Sequence, residues 1–321
     1  MEEAPLFAEI ARGPEGGRAF FLTAEDGVRL RLGLWTRTDA RGTVFLLPGR
    51  TEYVEKYGPA AADLARRGYA MVTIDWRGQG LADRALADRA AGHVARFADY
   101  QRDMRAMIAA ARALRLPLPW HMIGHSMGGA IGLRALAEGF EAHAAVFSAP
   151  MWGIVLPAWK RPLAQPYCGV LRALGRGHRY APGLGAECYV LTAPFEDNFL
   201  TSDPAMYDFM RRQLRARPEL VINGPSYAWV HEALTEARAL RAMNLPEVPA
   251  LAVLGSAERI VERSAVEGVM ARWPGGRLEI YEGARHEVMM EGEAHRRRFF
   301  DEAAALFEDA PQRLKTISVY R

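Results

Sequence analysis

In the run Gly124-His125-Ser126-Met127-Gly128 a serine sits two positions from a glycine on each side, in the pattern Gly-x-Ser-x-Gly. The apolar residues Trp120 to Ile123 precede it, and Gly128-Gly129-Ala130 opens a helical stretch. A serine on a sharp strand-to-helix turn holds its hydroxyl clear of a sheet, and the glycines let strand and helix approach without Cβ clashes. That hydroxyl is a poor nucleophile at neutral pH, so a base must take its proton and a carboxylate must orient the base. The five-residue pattern is weak alone. Its strand-before, helix-after setting gives it weight.

Chain order selects the partners from eight histidines and many carboxylates. The strand-like run Pro249 to Leu254 leads into a loop carrying Glu258, and Arg277 to Tyr281 leads into one carrying His286. Both loops follow late strands and fall on the sheet edge that bears Ser126. Ser126, His286 and Glu258 are therefore the expected nucleophile, base and orienting acid. Glutamate is one methylene longer than the commoner aspartate but can still accept the Nδ1–H of His286. Asp197, Asp203 and Asp208 lie in the middle of the chain and are set aside. A developing oxyanion needs two backbone N–H donors. Met127 should supply one, and the loop Pro48 to Glu52 the other, through Arg50. Nothing in this scheme requires a metal or cofactor.

Elements must hold these residues. Arg18 to Thr23, the turn Glu25-Asp26-Gly27 and the alternating Val28, Leu30, Leu32 and Leu34 predict an antiparallel hairpin. Thr43 to Leu47 is a short apolar run of the kind buried on both faces. A helix is expected near 57–67, a strand at 69–74, a helix at 97–114, a strand at 120–123, a helix at 127–138 and a strand at 142–147. This alternation predicts an α/β fold with a mostly parallel sheet. It stops at Pro150 and resumes at Pro249, ending in a helix near 293–307. Residues 1–150 and 244–321 are thus expected to form one core, with 151–243, rich in Pro, Gly and aromatics, inserted as a cap.

Composition narrows the class. Of 321 residues, 50% are hydrophobic and 25% charged, as in a globular protein. A net charge of +3 is too small to suggest a nucleic-acid protein. Positive charge does gather locally: Lys160, Arg161, Arg172, Arg176, His178 and Arg179 interleave with Trp159, Tyr167 and Tyr180, a mixture suited to an anionic membrane, although no continuous amphipathic helix can be read there. Two cysteines, Cys168 and Cys188, fit a reducing compartment and make no disulfide framework. With no secretory leader and no long apolar run, a cytoplasmic place is expected, open to peripheral contact with the inner membrane face. Oligomeric state is open.

The residues resemble the α/β-hydrolases of the lysophospholipase L2 and monoacylglycerol lipase type, the serine aminopeptidase S33-like hydrolases. The likeness runs through Pro48 to Glu52, Asp75 to Gly80, Gly92-His93-Val94, Gly124 to Gly129 and Gly255 to Val261. Asn198 to Asp203 and Gly224 to Trp229 resemble the lysophospholipase L2 branch in particular. Pro48 stands where relatives usually have histidine, and Glu258 where many have aspartate. The resemblance implies hydrolysis of carboxylic esters bearing one long acyl chain. An aromatic-rich cap over the sheet edge would suit an apolar, water-excluding pocket. The competing readings are a peptidase or small-ester esterase of the same superfamily, and a catalytically silent binding protein on this fold.

Overall fold

The computed structural model describes residues 1–181 and 185–319, with side chains as far as 310. In chain order the strands are β1 (Glu2–Ala4), β2 (Arg18–Thr23), β3 (Arg29–Trp35), β4 (Thr43–Leu47), β5 (Ala70–Asp75), β6 (Trp120–His125), β7 (Ala145–Ser148), β8 (Ala250–Gly255) and β9 (Arg277–Tyr281). The helices are α1 (Ala8–Ala11), α2 (Gly58–Arg66), α3 (Tyr100–Ala113), α4 (Met127–Ala137), α5 (Arg161–Ala173), α6 (Tyr189–Thr192), α7 (Pro204–Ala216), α8 (Tyr227–Ala242), α9 (Arg263–Met270) and α10 (Glu293–Val319).

The strands form one sheet in the order β1-β2-β3-β5-β4-β6-β7-β8-β9. The hairpin β2–β3 is antiparallel and joins β5 antiparallel, while every pair from β5 to β9 is parallel. Every residue of β4, β5, β6, β7 and β8 is buried, because helices cover both faces of the parallel part. On one face α3, α4, α8 and α9 pack through Met104, Met107, Ile131, Ala233 and Val266. On the other, α2 and α10 pack through Leu64, Phe299, Phe300 and Phe307. This is the α/β-hydrolase architecture.

The chain leaves β4 to one side to make β5 and returns to the other side to make β6. The order therefore reverses at β4, and a crevice opens beyond the carboxyl ends of β4 and β6. Ser126 follows β6, and Arg50 follows β4.

Most boundaries fall close to the pattern read from sequence, with four differences. β1 was not anticipated; its three residues, two of them glutamates, form an edge strand against β2. The expected strand at 142–147 begins only at Ala145. The segment between β7 and β8, irregular by sequence, holds α5 to α8. Prolines conceal two of these: Pro162 and Pro204 lie in first turns, where the missing N–H costs nothing, and only Pro166 is internal. The final helix also runs past 307.

Candidate active site

Ser126 links β6 to α4 with φ 50° and ψ −116°. For a residue with a Cβ this is a strained conformation, costing of order 1–3 kcal/mol. The surroundings hold it there. Ser126 N donates to Ser148 O at 3.0 Å, and Ser126 O accepts from Gly129 N and Met151 N, each at 2.9 Å. Gly128 is required by crowding, since a Cβ would come 2.0 Å from Leu47 O.

The loops after β8 and β9 bring Glu258 and His286 to this turn. Ser126 Oγ is 3.0 Å from His286 Nε2, and His286 Nδ1 is 2.7 Å from Glu258 Oε2. The other carboxylate oxygen of Glu258 accepts from Ile260 N and Val261 N at 2.5 and 3.1 Å. Burial opposes charge on Glu258, but His286 and those two N–H groups outweigh it and hold its pKa below the usual value. Burial likewise opposes charge on His286, yet Glu258, with Glu287 and Glu52 beyond it, raises its pKa above 6.5. Ser126 is only 9% exposed, so a substrate must enter a confined space to reach it.

The loop after β4 has an informative donor pattern. Gly49 N donates to Glu52, and Thr51 N donates to Gln79 Oε1 at 2.8 Å. Between them, Arg50 N has no protein acceptor among the described residues, and neither has Met127 N at the start of α4. The loop is gripped from several sides. Trp76 Nε1 donates to Pro48 O at 2.8 Å and Gln79 Nε2 to Gly49 O at 3.0 Å. Asp75 bonds Val54 N and Leu81 N and pairs with the buried Arg31, which Glu55 also binds. The run Asp75 to Gly80 is thus a clamp on the Arg50 loop, a role that chain spacing alone does not show.

A buried polar cluster beside the histidine was also missed by sequence. The His125 ring lies 4.9 Å from that of His286, tilted by 56°; it bonds Ser148 O at 3.0 Å and lies 3.4 Å from Glu52 Oε1. Burial pushes its pKa down to about 3, so it is neutral at physiological pH. Lys56 Nζ bridges Glu52 at 2.7 Å and Glu287 at 2.6 Å. Glu52, His125 and Glu287 have a spacing that could hold a metal ion, but the Lys56 ammonium already supplies a cation between the two carboxylates. The only available signal was the polar run Glu52 to Lys56 after a buried strand.

The segment between β7 and β8 reaches the same loops. His286 N donates to Phe199 O at 3.3 Å and Glu287 N to Leu200 O at 2.8 Å. Glu291 accepts from Ser202 N and from Arg285 N at 2.7 Å, tying both runs together. Asn198 to Asp203 therefore acts as a rail for the histidine loop. Asp203 caps α7 and Asp197 lines a cavity of about 750 Å³ that reaches Glu258, Phe199, Arg259 and Arg285. Neither aspartate contacts His286. Gly92 and His93 join the second run, through Gly224 O, Ser226 N and the Ser226 hydroxyl.

A model of the serine aminopeptidase S33 family matches residues 38–293. The chain is 33% identical over 261 residues to a probable lysophospholipase L2 of Haemophilus influenzae, covering 80% of each. It is 33% identical over 292 residues to lysophospholipase L2 of Escherichia coli K12, covering 85% of this chain and 82% of the relative. Among solved structures, a soluble variant of monoglyceride lipase from Saccharomyces cerevisiae superposes with a TM-score of 0.70 at 20% identity, over 90% of this chain and 96% of that one. A carboxyl esterase from Bacillus coagulans gives 0.73 at 14% identity, over 92% and 99%. The match over most of its length and the shared fold show that this chain belongs to the serine aminopeptidase S33 family of α/β-hydrolases.

Proposed function

We propose that the protein is a serine esterase that hydrolyses monoacyl lipids through Ser126, His286 and Glu258. The observation that carries this is the unbroken relay of 3.0 and 2.7 Å contacts from a strained serine through histidine to carboxylate. Ser126 Oγ attacks the ester carbonyl carbon as its proton passes to His286 Nε2. Glu258 holds the resulting imidazolium. The carbonyl oxygen becomes an oxyanion that receives N–H bonds from Arg50 and Met127. When the carbonyl reforms, the glycerol-side C–O bond breaks and the leaving alkoxide takes the proton from His286. Water then attacks the acyl-enzyme, giving its proton to His286. The fatty acid leaves and Ser126 recovers its hydrogen.

The substrate class is supported by relatives named as lysophospholipase L2 and monoglyceride lipase. Residues 151–243 are read as a cap over the crevice. A panel of acyl esters and aminoacyl anilides tests the reaction class. Ester turnover that falls at least about a thousandfold in Ser126→Ala supports the proposal. Anilides preferred over esters would favour a peptidase.

The same segment supports peripheral contact with a lipid surface. No helix among the described residues is long and apolar enough to cross a membrane. Trp159, Leu163, Tyr167, Val170 and Leu174 are each more than half exposed and recur every three or four residues through α5 and its two flanks. Lys160, Arg161, Arg172 and Arg176 flank this stripe. Apolar and basic residues so arranged suit an anionic interface.

A further inference from the structure

A guanidinium has five N–H donors and is costly to remove from water unless its charge is met. Other desolvated arginines are met. Arg31 binds Asp75 and Glu55, and Arg77 binds Asp26 and Asp103. Arg84 spreads its donors over the carbonyls of Gly80, Ala82 and Arg89. Arg50 differs. Its one hydrogen-bond acceptor among the described residues is Asn223 O, 2.9 Å from Nη1, and no carboxylate there pairs with it. Its charge faces the Trp229 ring, 5.4 Å from the centroid. Burial pushes its pKa down to about 10, which still leaves it charged at neutral pH.

The surroundings set the guanidinium in place. A Cβ at Gly92 would come 2.8 Å from Nη1, so the absence of a side chain there gives the guanidinium its place. The buried indole of Trp229 packs on this guanidinium and interacts through its N–H with the Tyr100 hydroxyl. Arg50 as a residue is partly exposed, and no carboxylate among the described residues pairs with it. Its backbone N–H belongs to the proposed oxyanion site. One arginine side chain thus separates an acyl-oxygen donor from an unmatched cation. In a lysophospholipid, one glycerol unit separates the ester from the phosphate.

We propose that Arg50 is a specificity-determining residue: its guanidinium binds the phosphate of a glycerophospho headgroup while its backbone N–H receives the acyl oxygen. Phosphate-bearing monoacyl esters are thereby selected over neutral monoacylglycerols. This rests on Ser126 acting on esters.

The test compares kcat/KM for lysophosphatidylcholine and for a monoacylglycerol of the same acyl chain. Arg50→Gln keeps the backbone N–H but removes the charge, so any loss common to both substrates cancels in their ratio. The phosphate-to-neutral ratio should fall on the order of 10- to 100-fold, mostly through KM, and Arg50→Lys should restore part of it. An unchanged ratio overturns the phosphate site and leaves Arg50 as a clip between the β4 loop and Asn223. Fluorophosphonate labelling separates the two levels of failure. Wild-type protein without an adduct at Ser126 defeats the esterase reading itself, whereas labelled protein with an unchanged ratio defeats only the phosphate site. If Arg50→Gln does not fold, competition on the wild-type enzyme decides. Glycerophosphocholine should inhibit monoacylglycerol turnover where equal glycerol does not; equal inhibition by both overturns the proposal.

Discussion

His286 is held between two opposing influences: burial favours its neutral form, and the carboxylates around it favour the charged one. The charge wins in direction, so its pKa lies above 6.5. A general base must be neutral before it can accept the proton of Ser126. Activity should therefore rise with pH through an ionisation above that value. Removing the carboxylate should move this ionisation to lower pH, so Glu258→Gln is expected to shift the acid limb of the kcat/KM profile downward while lowering its plateau. An acid limb that stays in place would detach Glu258 from the histidine. The stability sign is opposite for the two groups. The raised pKa of His286 adds stability at low pH that is lost as pH rises through it, whereas the lowered pKa of Glu258 adds stability that is lost on acidification.

At the scale of elements, the loops matter more than the helices they join. The order of Ser126, Glu258 and His286 was readable because each follows a short apolar strand, and strand position fixes which sheet edge a loop occupies. The Asp75 clamp and the Glu52–Lys56–Glu287 cluster were not readable, because their partners are distant in sequence and meet only through sheet order. Helix α5 was hidden for another reason: Pro162 and Pro166 interrupt its apolar spacing, although its apolar face looks outward. That outward face has a direct consequence. Leu163→Asp with Val170→Asp should lower co-sedimentation with anionic vesicles several-fold while leaving turnover of a monomeric, water-soluble ester intact. Unchanged co-sedimentation would remove the lipid-surface reading of α5.

For the molecule as a whole, the buried ionic network under the β4 loop joins the antiparallel hairpin to the parallel sheet. Arg31 on β3, Asp75 at the end of β5 and Glu55 all have fully buried side chains. Removing the cation alone would leave two carboxylates without it, so Arg31→Met should destabilise the fold by about 3–5 kcal/mol, read as a lowered urea midpoint. A loss below about 1 kcal/mol would mean the carboxylates find other partners. The parallel sheet itself was legible from alternation of apolar runs and helical spacing. The segment between β7 and β8 was legible only as an interruption, since its helices alternate with no strand, although α8 packs on the core helices of the sheet.

The strained Ser126 gains its reactivity from the relay behind it, and the most direct test addresses its Oγ. Wild-type protein treated with a fluorophosphonate, then digested and mapped by mass spectrometry, should carry one phosphonyl adduct on Ser126. The adduct should form far more slowly in His286→Ala, whose serine is intact but has no base. An adduct at another residue, or equal labelling rates in both proteins, would contradict the Ser126–His286 relay.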